Sequence, residues 1–465
     1  MPFPTRPRRL LAAALPALLA VAVPALSYAQ YPNSIFHSHT EFNRDVGHLF
    51  DILIWLGTFV FIFVEAILLY TIFRYRRKSE NDRPKHVHGN TTLEILWTAI
   101  PALILAFIAV PTVRTIFKTQ AKASADALQV DVYGHQWWWE LRYPQYTTQG
   151  ANGKIDTLVT ANELYIPVGR KVNFALRTVD VIHSFWIPQM GGKRDLIANR
   201  TNYLWFTPDS VGEGAWNGFC VEYCGTSHAN MHFKTFTVTP ANFDAWTKHQ
   251  LSGAAFGAAA APAMPAPATQ TAAVTDTTKK RQDSSAAHVP GQSTLAQSPT
   301  AATAAPGTAP MAGHDMAAMN VSQAGFISFP LDKIPSHAVP KTPIPAGVNW
   351  NEATKGTPEA GRALLTAGTG GCLACHNIRG NPMMIGNIGP NLTHIGSRTT
   401  IAGGIYPNDT KHLSLWIKNS RIMKPGVIMP TLGLGQYDPV LKVTQKMGLT
   451  DQQIADIVAY LQALK

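Results

Sequence analysis

Two cysteines, a histidine and a methionine lie within one twelve-residue segment, CVEYCGTSHANM, which begins at Cys220. Cys224, His228 and Met231 have the spacing of a copper-binding loop that offers a thiolate, an imidazole and a thioether. His183, in VDVIHSFWIP, adds a second imidazole from a predicted upstream strand. Cys220 adds a second thiolate, and two bridging thiolates, two imidazoles, a thioether and one carbonyl satisfy two copper ions. The segment therefore predicts a dinuclear copper centre.

Two other interpretations of this segment explain less of it. A disulfide between Cys220 and Cys224 is the default for cysteines in an oxidising compartment, but it leaves His228 and Met231 without a role. A closed zinc site has no use for the thioether of Met231.

A second cysteine pair lies in CLACH, where Cys372 and Cys375 precede His376. This is the attachment pattern of a c-type haem, with two thiols for the vinyl groups and the next residue as the proximal iron ligand. A zinc site would need a second pair of ligands, and the chain holds only four cysteines. We expect covalent haem c here.

The sixth iron ligand is expected downstream of CLACH. Met429 is the predicted ligand, because KPGVIMP places it on a proline-containing loop after LSLWIKNS, as in class I cytochromes c. A thioether closes the iron and raises its potential, which suits electron transfer. The other candidates are Met383, Met384, Met423 and Met447.

Two apolar stretches precede these sites. Residues 49–73 and roughly 95–117 are each long enough to cross a hydrocarbon core about 30 Å thick. The loop between them carries six lysines and arginines against two acidic residues, which places the loop in the cytoplasm. Everything after Phe117 then lies outside the cytoplasm. The alternative is a buried helical pair in a soluble protein.

The first 29 residues have the pattern of a signal peptide. Three arginines precede a Leu/Ala-rich core that ends in SYA at Ala29. A first transmembrane helix is the alternative, although two prolines within the core suit a signal better.

The rest of the chain indicates further folded parts, since 465 residues exceed one small domain. From about Leu128 to Pro240, alternating segments rich in Val, Tyr, Phe and Thr predict strands of a small antiparallel sandwich or barrel. These segments are LQVDVYGHQWWWELRY, ELYIPVGRKVNFALRTVD, TNYLWFTP and HFKTFTVTP. Residues 252–325, almost all Ala, Pro, Thr, Ser, Gly and Gln, have the composition of a linker. From about 350 to 465, PEAGRALLTA, LSLWIKNS and TDQQIADIVAYLQALK predict helices. The net charge is +11, but the chain has no nucleic-acid-binding motif, so the charge does not predict a nucleic-acid partner.

Together these motifs resemble subunit II of the haem-copper cytochrome c oxidases, and the fused haem domain resembles the caa-type subclass. The resemblance implies a multidomain fold with a two-helix transmembrane hairpin, an all-β cupredoxin-like Greek-key barrel and an all-α class I cytochrome c domain. The predicted bounds are 1–29 for the signal peptide, 30–118 for the hairpin, 119–251 for the CuA domain, 252–325 for the linker and 326–465 for the cytochrome c domain.

The resemblance also implies metal ligands. It assigns the dinuclear CuA centre to His183, Cys220, Cys224, His228, Met231 and the backbone carbonyl of Glu222. In the family, the side chain of Glu222 also reaches a magnesium ion shared with subunit I. A solvated loop carboxylate is the other interpretation of Glu222.

Three more positions match the family or depart from it. Trp137, the first tryptophan of YGHQWWWE, stands where the family has its electron-entry residue, although adjacent tryptophans are also common in packing. Glu94 stands where the family has a carboxylate at the mouth of a proton path, although acids also begin helices for capping reasons. GGKRDLIANR departs from the family's Pro-Gly-Arg ending, and Asn199 at positive φ would complete the turn.

The function implied is electron input to a terminal oxidase. An external donor, such as a cytochrome or a bc-type complex, would reduce haem c, which reduces CuA and then the haem of subunit I, where oxygen reduction drives proton pumping. Expected partners are subunits I and III and membrane lipid, in a bacterial plasma membrane with both redox domains on the periplasmic side. The alternatives are the CuA subunit of a nitric oxide reductase and a membrane-tethered electron carrier without a catalytic partner.

Overall fold

The computed structural model describes residues 33–82, 88–121, 123–149, 155–209, 213–254 and 326–465. The chain divides into two units, one formed by residues 1–258 with 325–465 and the other by residues 259–324. All described residues belong to the first unit. The predicted signal peptide and all but the first three residues of the predicted linker lie outside the described residues.

Two long apolar helices come first, α1 (Glu41–Arg74) and α2 (Thr91–Gln120). The side chains of Thr40 and Asn90 cap them by accepting from backbone N–H groups three residues on. Both helices are long and apolar enough to cross a membrane, with mean hydropathies of 2.6 and 2.3 over their most apolar windows. They extend beyond the apolar stretches of the sequence because capped polar turns lengthen their ends. The hairpin fits a membrane anchor.

The start of α1 is hydrogen-bonded to the β domain that follows (residues 128–251), which carries the predicted copper ligands and is also called the copper domain below. The side-chain amide of Asn43 donates to the carbonyl of Pro188 at 2.8 Å. The carboxylate of Glu41 accepts from the backbone N–H of Thr207 at 2.9 Å. These contacts join the start of α1 to the β domain at Pro188 and Thr207.

In the described part of residues 123–254, ten strands form two five-stranded sheets, ordered β3-β2-β1-β5-β8 and β4-β10-β9-β6-β7. The strands are β1 (Leu128–His135), β2 (Trp138–Gln149), β3 (Ile155–Ala161), β4 (Glu163–Pro167), β5 (Val172–Thr178), β6 (His183–Trp186), β7 (Arg194–Leu196), β8 (Asn202–Phe206), β9 (Gly214–Cys220) and β10 (His232–Val238). The β1–β5 and β4–β10 pairs are parallel. The predicted sandwich is confirmed, although it is not wholly antiparallel.

Alternate side chains of the strands fill the space between the sheets. Leu128, Val130 and Val132 of β1 are fully buried. From the other sheet, Phe185 and Phe233 stack with ring centroids 4.7 Å apart. This aromatic and aliphatic core makes the sandwich a rigid base for the loops at its ends.

Two local features of the sandwich differ from the sequence expectation. The segment LQVDVYGHQWWWELRY is not one strand, because β1 and β2 pair as a hairpin in which His135 faces Trp138. The turn therefore carries Trp137. Strand β9 was not expected, since its glycines lower strand propensity. At Gly218 a Cβ would lie 2.2 Å from the ring of Phe233, so the packing requires glycine there.

A helix that was not predicted, α3 (Pro240–Leu251), packs on the sandwich. Thr239 caps it, and Phe243 and Trp246 on one face are buried. The ring of Trp246 stacks on that of Tyr165 at 4.5 Å. The helix thus covers the ring of Tyr165 in β4 and extends the hydrophobic core of the sandwich.

The C-terminal domain contains four helices, α4 (Pro358–Thr366), α5 (Thr410–Lys418), α6 (Ser420–Met423) and α7 (Asp451–Ala463). The three helices predicted from the sequence correspond to α4, α5 and α7. Thr450 and Gln453 form a capping box at α7, as its Thr-Asp start predicts. Strands β11 (Thr400–Ile401) and β12 (Tyr406–Pro407) form a short antiparallel ribbon, and β13 (Tyr437–Asp438) and β14 (Val443–Thr444) form another.

The described residues also form 3₁₀ helices in both domains, His228–Asn230, Leu331–Lys333, Thr369–Ala374 and Ile395–Ser397.

Candidate metal and haem sites

The ends of three strands of one sheet, β6, β9 and β10, meet at the predicted copper site. His183 opens β6 and Cys220 ends β9, and the two strands pair so that Phe185 faces Cys220. Met231 immediately precedes β10, and its carbonyl accepts from the N–H of Cys220 at 3.0 Å. The sheet therefore places ligands that are distant in sequence at one end of the sandwich.

The donor atoms of all six predicted ligands converge at that end. The sulfur of Cys220 lies 3.8 Å from that of Cys224, 3.8 Å from Nδ1 of His183 and 3.3 Å from the carbonyl oxygen of Glu222. The sulfur of Cys224 lies 3.6 Å from Nδ1 of His228 and 3.9 Å from the sulfur of Met231. The cysteines are free, since a disulfide requires about 2.05 Å.

This donor set fits copper better than a disulfide or zinc. His183, Cys220, Cys224 and Met231 are buried, so their atoms face a common dry space. The pKa of the Cys220 thiol is lowered, because Cys224 hydrogen-bonds to its sulfur and His183 lies beside it. A thiol that deprotonates readily is prepared for a metal ion.

Asp180 supports the site and was not among the residues predicted from the sequence. The carboxylate of Asp180 accepts a hydrogen bond from Nε2 of His183 at 2.8 Å. This bond fixes the tautomer and leaves Nδ1, which faces Cys220, free to bind a metal. The signal that could have found Asp180 is its position three residues before a ligand histidine.

The side chain of Glu222 is exposed. Its backbone carbonyl points to Cys220, as the resemblance implies, while its carboxylate belongs to the surface. The predicted magnesium ion therefore remains a prediction.

The haem attachment motif begins at the end of a 3₁₀ helix, Thr369–Ala374, which contains Cys372, while Cys375 and His376 follow it. Nδ1 of His376 donates to the carbonyl of Pro390 at 2.8 Å, which leaves Nε2 available for iron. A Cβ at Gly389 would lie 2.6 Å from the imidazole, so glycine is required for the ring to lie there. These features, with free thiols at Cys372 and Cys375, fit covalent haem c.

The five candidate methionines have different environments. Met384 and Met423 are buried in the hydrophobic core of the domain, and Met383 and Met447 are exposed. Met429 lies at the edge of the core, and its carbonyl accepts from the hydroxyl of Ser420 at 2.8 Å. A backbone fixed in this way suits a ligand loop, and Met429 stays the predicted ligand.

Trp137 lies between the copper site and the cytochrome domain. It is only 8% exposed, and its indole N–H donates to the carbonyl of Cys224 at 2.9 Å. On its other side, a Cβ at Gly426 would lie 2.8 Å from the indole ring, so the loop that carries Met429 rests on Trp137. Ser227 also donates to the carbonyl of Pro425. The ligand loops of both sites thus meet at one indole.

Two further predictions concern residues outside these sites. Glu94 lies in the first turn of α2, as its capping interpretation requires. Asn199 has φ of 60°, which confirms the expected turn.

Comparison with known families matches three parts of the chain. Residues 34–115 match the cytochrome c oxidase subunit II transmembrane domain, residues 128–238 its periplasmic domain and residues 358–465 cytochrome c. Over 218 residues, the chain is 32% identical to the probable cytochrome c oxidase subunit 2 of Rickettsia bellii, covering 44% of this chain and 80% of that protein. The chain belongs to the cytochrome c oxidase subunit II family. The family domains imply a CuA centre and a haem c.

Other subunit II proteins are similar over part of their length. Cytochrome c oxidase subunit 2 of Alkalihalophilus pseudofirmus is 40% identical over 195 residues, covering 41% of this chain and 54% of that protein. The chain spans about half the length of this relative and of those from two Bacillus strains. The periplasmic domain of subunit II of Bradyrhizobium japonicum is 29% identical, with a TM-score of 0.23, covering 28% of this chain and 95% of that domain.

Proposed function

We propose that the chain is the electron-input subunit of a proton-translocating cytochrome c oxidase. It would take electrons from an external donor through haem c to CuA and pass them to the haem of subunit I. The observation that carries this proposal is the contact path from the Met429 loop through Trp137 to Cys224.

The residues of the chain have separate roles in this proposal. Two copper ions would be held by His183, Cys220, Glu222 through its carbonyl, Cys224, His228 and Met231, and haem c by Cys372, Cys375, His376 and Met429. When bound, these groups supply the one-electron carriers. The protein fixes their ligands, excludes water and brings the two ligand loops together. Trp137 is the proposed entry residue because it contacts both loops.

The helical hairpin supplies the proposed connection to the membrane and to subunits I and III. In this arrangement the loop after α1 is cytoplasmic, since Arg74 ends α1 and Arg76, Arg77 and Lys78 follow it. Glu94 then lies at the cytoplasmic end of α2, as a proton-path residue requires. A magnesium ion at Glu222 and the periplasmic position of both redox domains belong to the same proposal.

The first test is the metal content of the full chain, expressed without its partners and matured with haem. We expect two copper ions per haem c and a mixed-valence EPR signal. The variant Cys220→Ser should lose the two-copper stoichiometry and the mixed-valence signal. One copper ion, or none with Cys220 and Cys224 joined in a disulfide after reduction and copper loading, would contradict the proposal.

A second measurement separates the oxidase from the alternative enzymes. The complex that co-purifies with a large haem-binding membrane subunit should consume oxygen when supplied with a reduced donor. Consumption of nitric oxide alone would indicate a nitric oxide reductase. The absence of any such partner would indicate a tethered carrier.

A further inference from the structure

Two buried ionisable side chains connect the copper domain to the cytochrome domain without touching either set of predicted ligands. One is Lys424 of the cytochrome domain, at the start of the loop that carries Met429. The other is Glu163 of the copper domain, the first residue of β4. Both are at most 2% exposed, and burying a charge is costly unless its bonding groups are satisfied.

Lys424 is bound by backbone oxygens on both sides of the interface. Its Nζ donates to the carbonyl of Trp137 at 2.6 Å and to the carbonyl of Ala402 at 2.9 Å. A Cβ at Gly403 would lie 2.5 Å from the same Nζ, so glycine leaves room for it. Among the described residues, no carboxylate is within ion-pair distance of Lys424. The ammonium is therefore directed at the backbone of the proposed entry residue.

Glu163 makes an independent connection at a second place. One of its carboxylate oxygens accepts from the N–H of Thr399 at 2.7 Å, from the hydroxyl of Thr399 at 2.6 Å and from the N–H of Thr400 at 3.1 Å. Between the two places, the N–H of His232 donates to the carbonyl of Gly403 at 2.9 Å. The cytochrome domain is thus held at several points around Trp137.

We propose that Lys424 is a positioning residue for electron entry, which holds the cytochrome domain on the copper domain by binding the Trp137 carbonyl, with Glu163 as the second anchor. The inference rests on the proposed function, because it assigns the docking face for the same transfer. The segment 252–325 joins the two domains along the chain. When Lys424 lies on Trp137, the Met429 loop also lies on the indole.

The test uses the full chain loaded with copper and haem. After photoreduction of the haem, we measure the first-order rate of electron transfer to CuA in wild type and in Lys424→Met, which keeps the length of the side chain but removes its donors. Because the substitution removes the hydrogen bonds of Nζ to the carbonyls of Trp137 and Ala402, the rate should fall at least tenfold. It should also become dependent on viscosity, because domain encounter then limits transfer. The wild-type rate should not depend on viscosity.

Lys418→Met is the matched control. Lys418 is a buried lysine of the same domain, but its Nζ bonds to Asp451 within that domain at 2.8 Å. Its removal should leave the transfer rate and its independence of viscosity unchanged. A merely structural effect of losing a buried lysine would appear equally in both variants.

Hydrogen exchange gives a readout that needs no electron transfer. The amides of Thr399, Thr400 and His232 are protected by acceptors in the opposite domain, so they should exchange faster in Lys424→Met. The amide of Asn408 donates to Thr399 within the cytochrome domain and should keep its protection. If Lys424→Met lacks the haem or copper spectrum, Glu163→Gln is measured in its place. This substitution removes the carboxylate but keeps one acceptor oxygen. It should likewise slow electron transfer and speed exchange of the interface amides.

The outcomes separate this inference from the proposed function. Wild-type transfer rates and protected amides in Lys424→Met, or in Glu163→Gln where it substitutes, would overturn the positioning role and leave the function standing. Failure of the wild-type chain to transfer electrons from haem to CuA would overturn the proposed function itself.

Discussion

At the scale of single residues, His183 shows how the chain prepares a ligand before any metal arrives. Its Nε2 is bound by Asp180 and its Nδ1 faces Cys220, so the ring is held from both sides. The side chain is fully buried, which prevents water from competing for either nitrogen. The orientation of the ring therefore depends on a residue that does not touch the copper ions.

We predict that Asp180→Asn weakens copper binding by about 10- to 100-fold, as loss of an outer partner of a ligand histidine typically does. The amide keeps the shape of the carboxylate but loses its charge, so the imidazole is oriented less strongly. Competition with a copper chelator measures the affinity. Asp195→Asn, an exposed aspartate on β7, is the control and should bind copper as wild type does.

The ligands were predictable from sequence because most of them are local. Cys220, Cys224, His228 and Met231 fall within twelve positions, and a copper chemistry explains all four. Asp180 and Lys424 were not predictable, because their partners are defined only when the chain folds. A lone aspartate in a turn and a lone lysine before Pro-Gly look like ordinary surface residues.

At the scale of elements, the cytochrome domain depends on a close crossing of α4 and α7. A Cβ at Gly361 would lie 2.0 Å from the carbonyl oxygen of Asp456, so the backbones approach as closely as a glycine allows. The sequence predicted both helices from their periodicity. It could not predict their contact, because a glycine within a helix more often signals weak propensity than close packing.

We predict that Gly361→Ala destabilises the cytochrome domain by about 1–3 kcal/mol, as overpacking does, although alanine favours an isolated helix. Urea unfolding of the haem-loaded chain, followed by haem absorbance, measures the change. Ala363→Gly on the exposed face of α4 is the control, with an expected loss of about 1 kcal/mol from helix propensity alone. A more stable Gly361→Ala protein would contradict the crossing.

At the scale of the whole molecule, the two redox domains share a buried interface. Besides the contacts of Lys424 and Glu163, Arg379 of the cytochrome domain donates to the carbonyls of Gln250 and Leu251 at the end of α3. The sequence predicted both domains but not their contact surface, because no pattern within either domain identifies the residues that face the other.

The interface also brings together the half-buried His249 and the buried His394, and this predicts how docking responds to pH. The rings of His249 and His394 lie 4.5 Å apart, one from each domain. Burial, with His249 and Arg379 nearby, lowers the pKa of His394 to about 4 from the ordinary 6.5. The docked form therefore holds a neutral imidazole over a range in which the separated domains bind a proton.

We predict that protonation of His394 weakens docking as the pH falls from 6.5 towards 4, by up to about 3 kcal/mol. The sign follows because the separated form binds more protons in that window. Exchange of the Thr399 and Thr400 amides, relative to that of Asn408, measures docking at each pH. Burial raises the pKa of Glu163, so its titration acts in the opposite direction and favours docking as the pH falls. Comparison with His394→Gln isolates the histidine, and an equal loss of docking in that variant would exclude it as the cause.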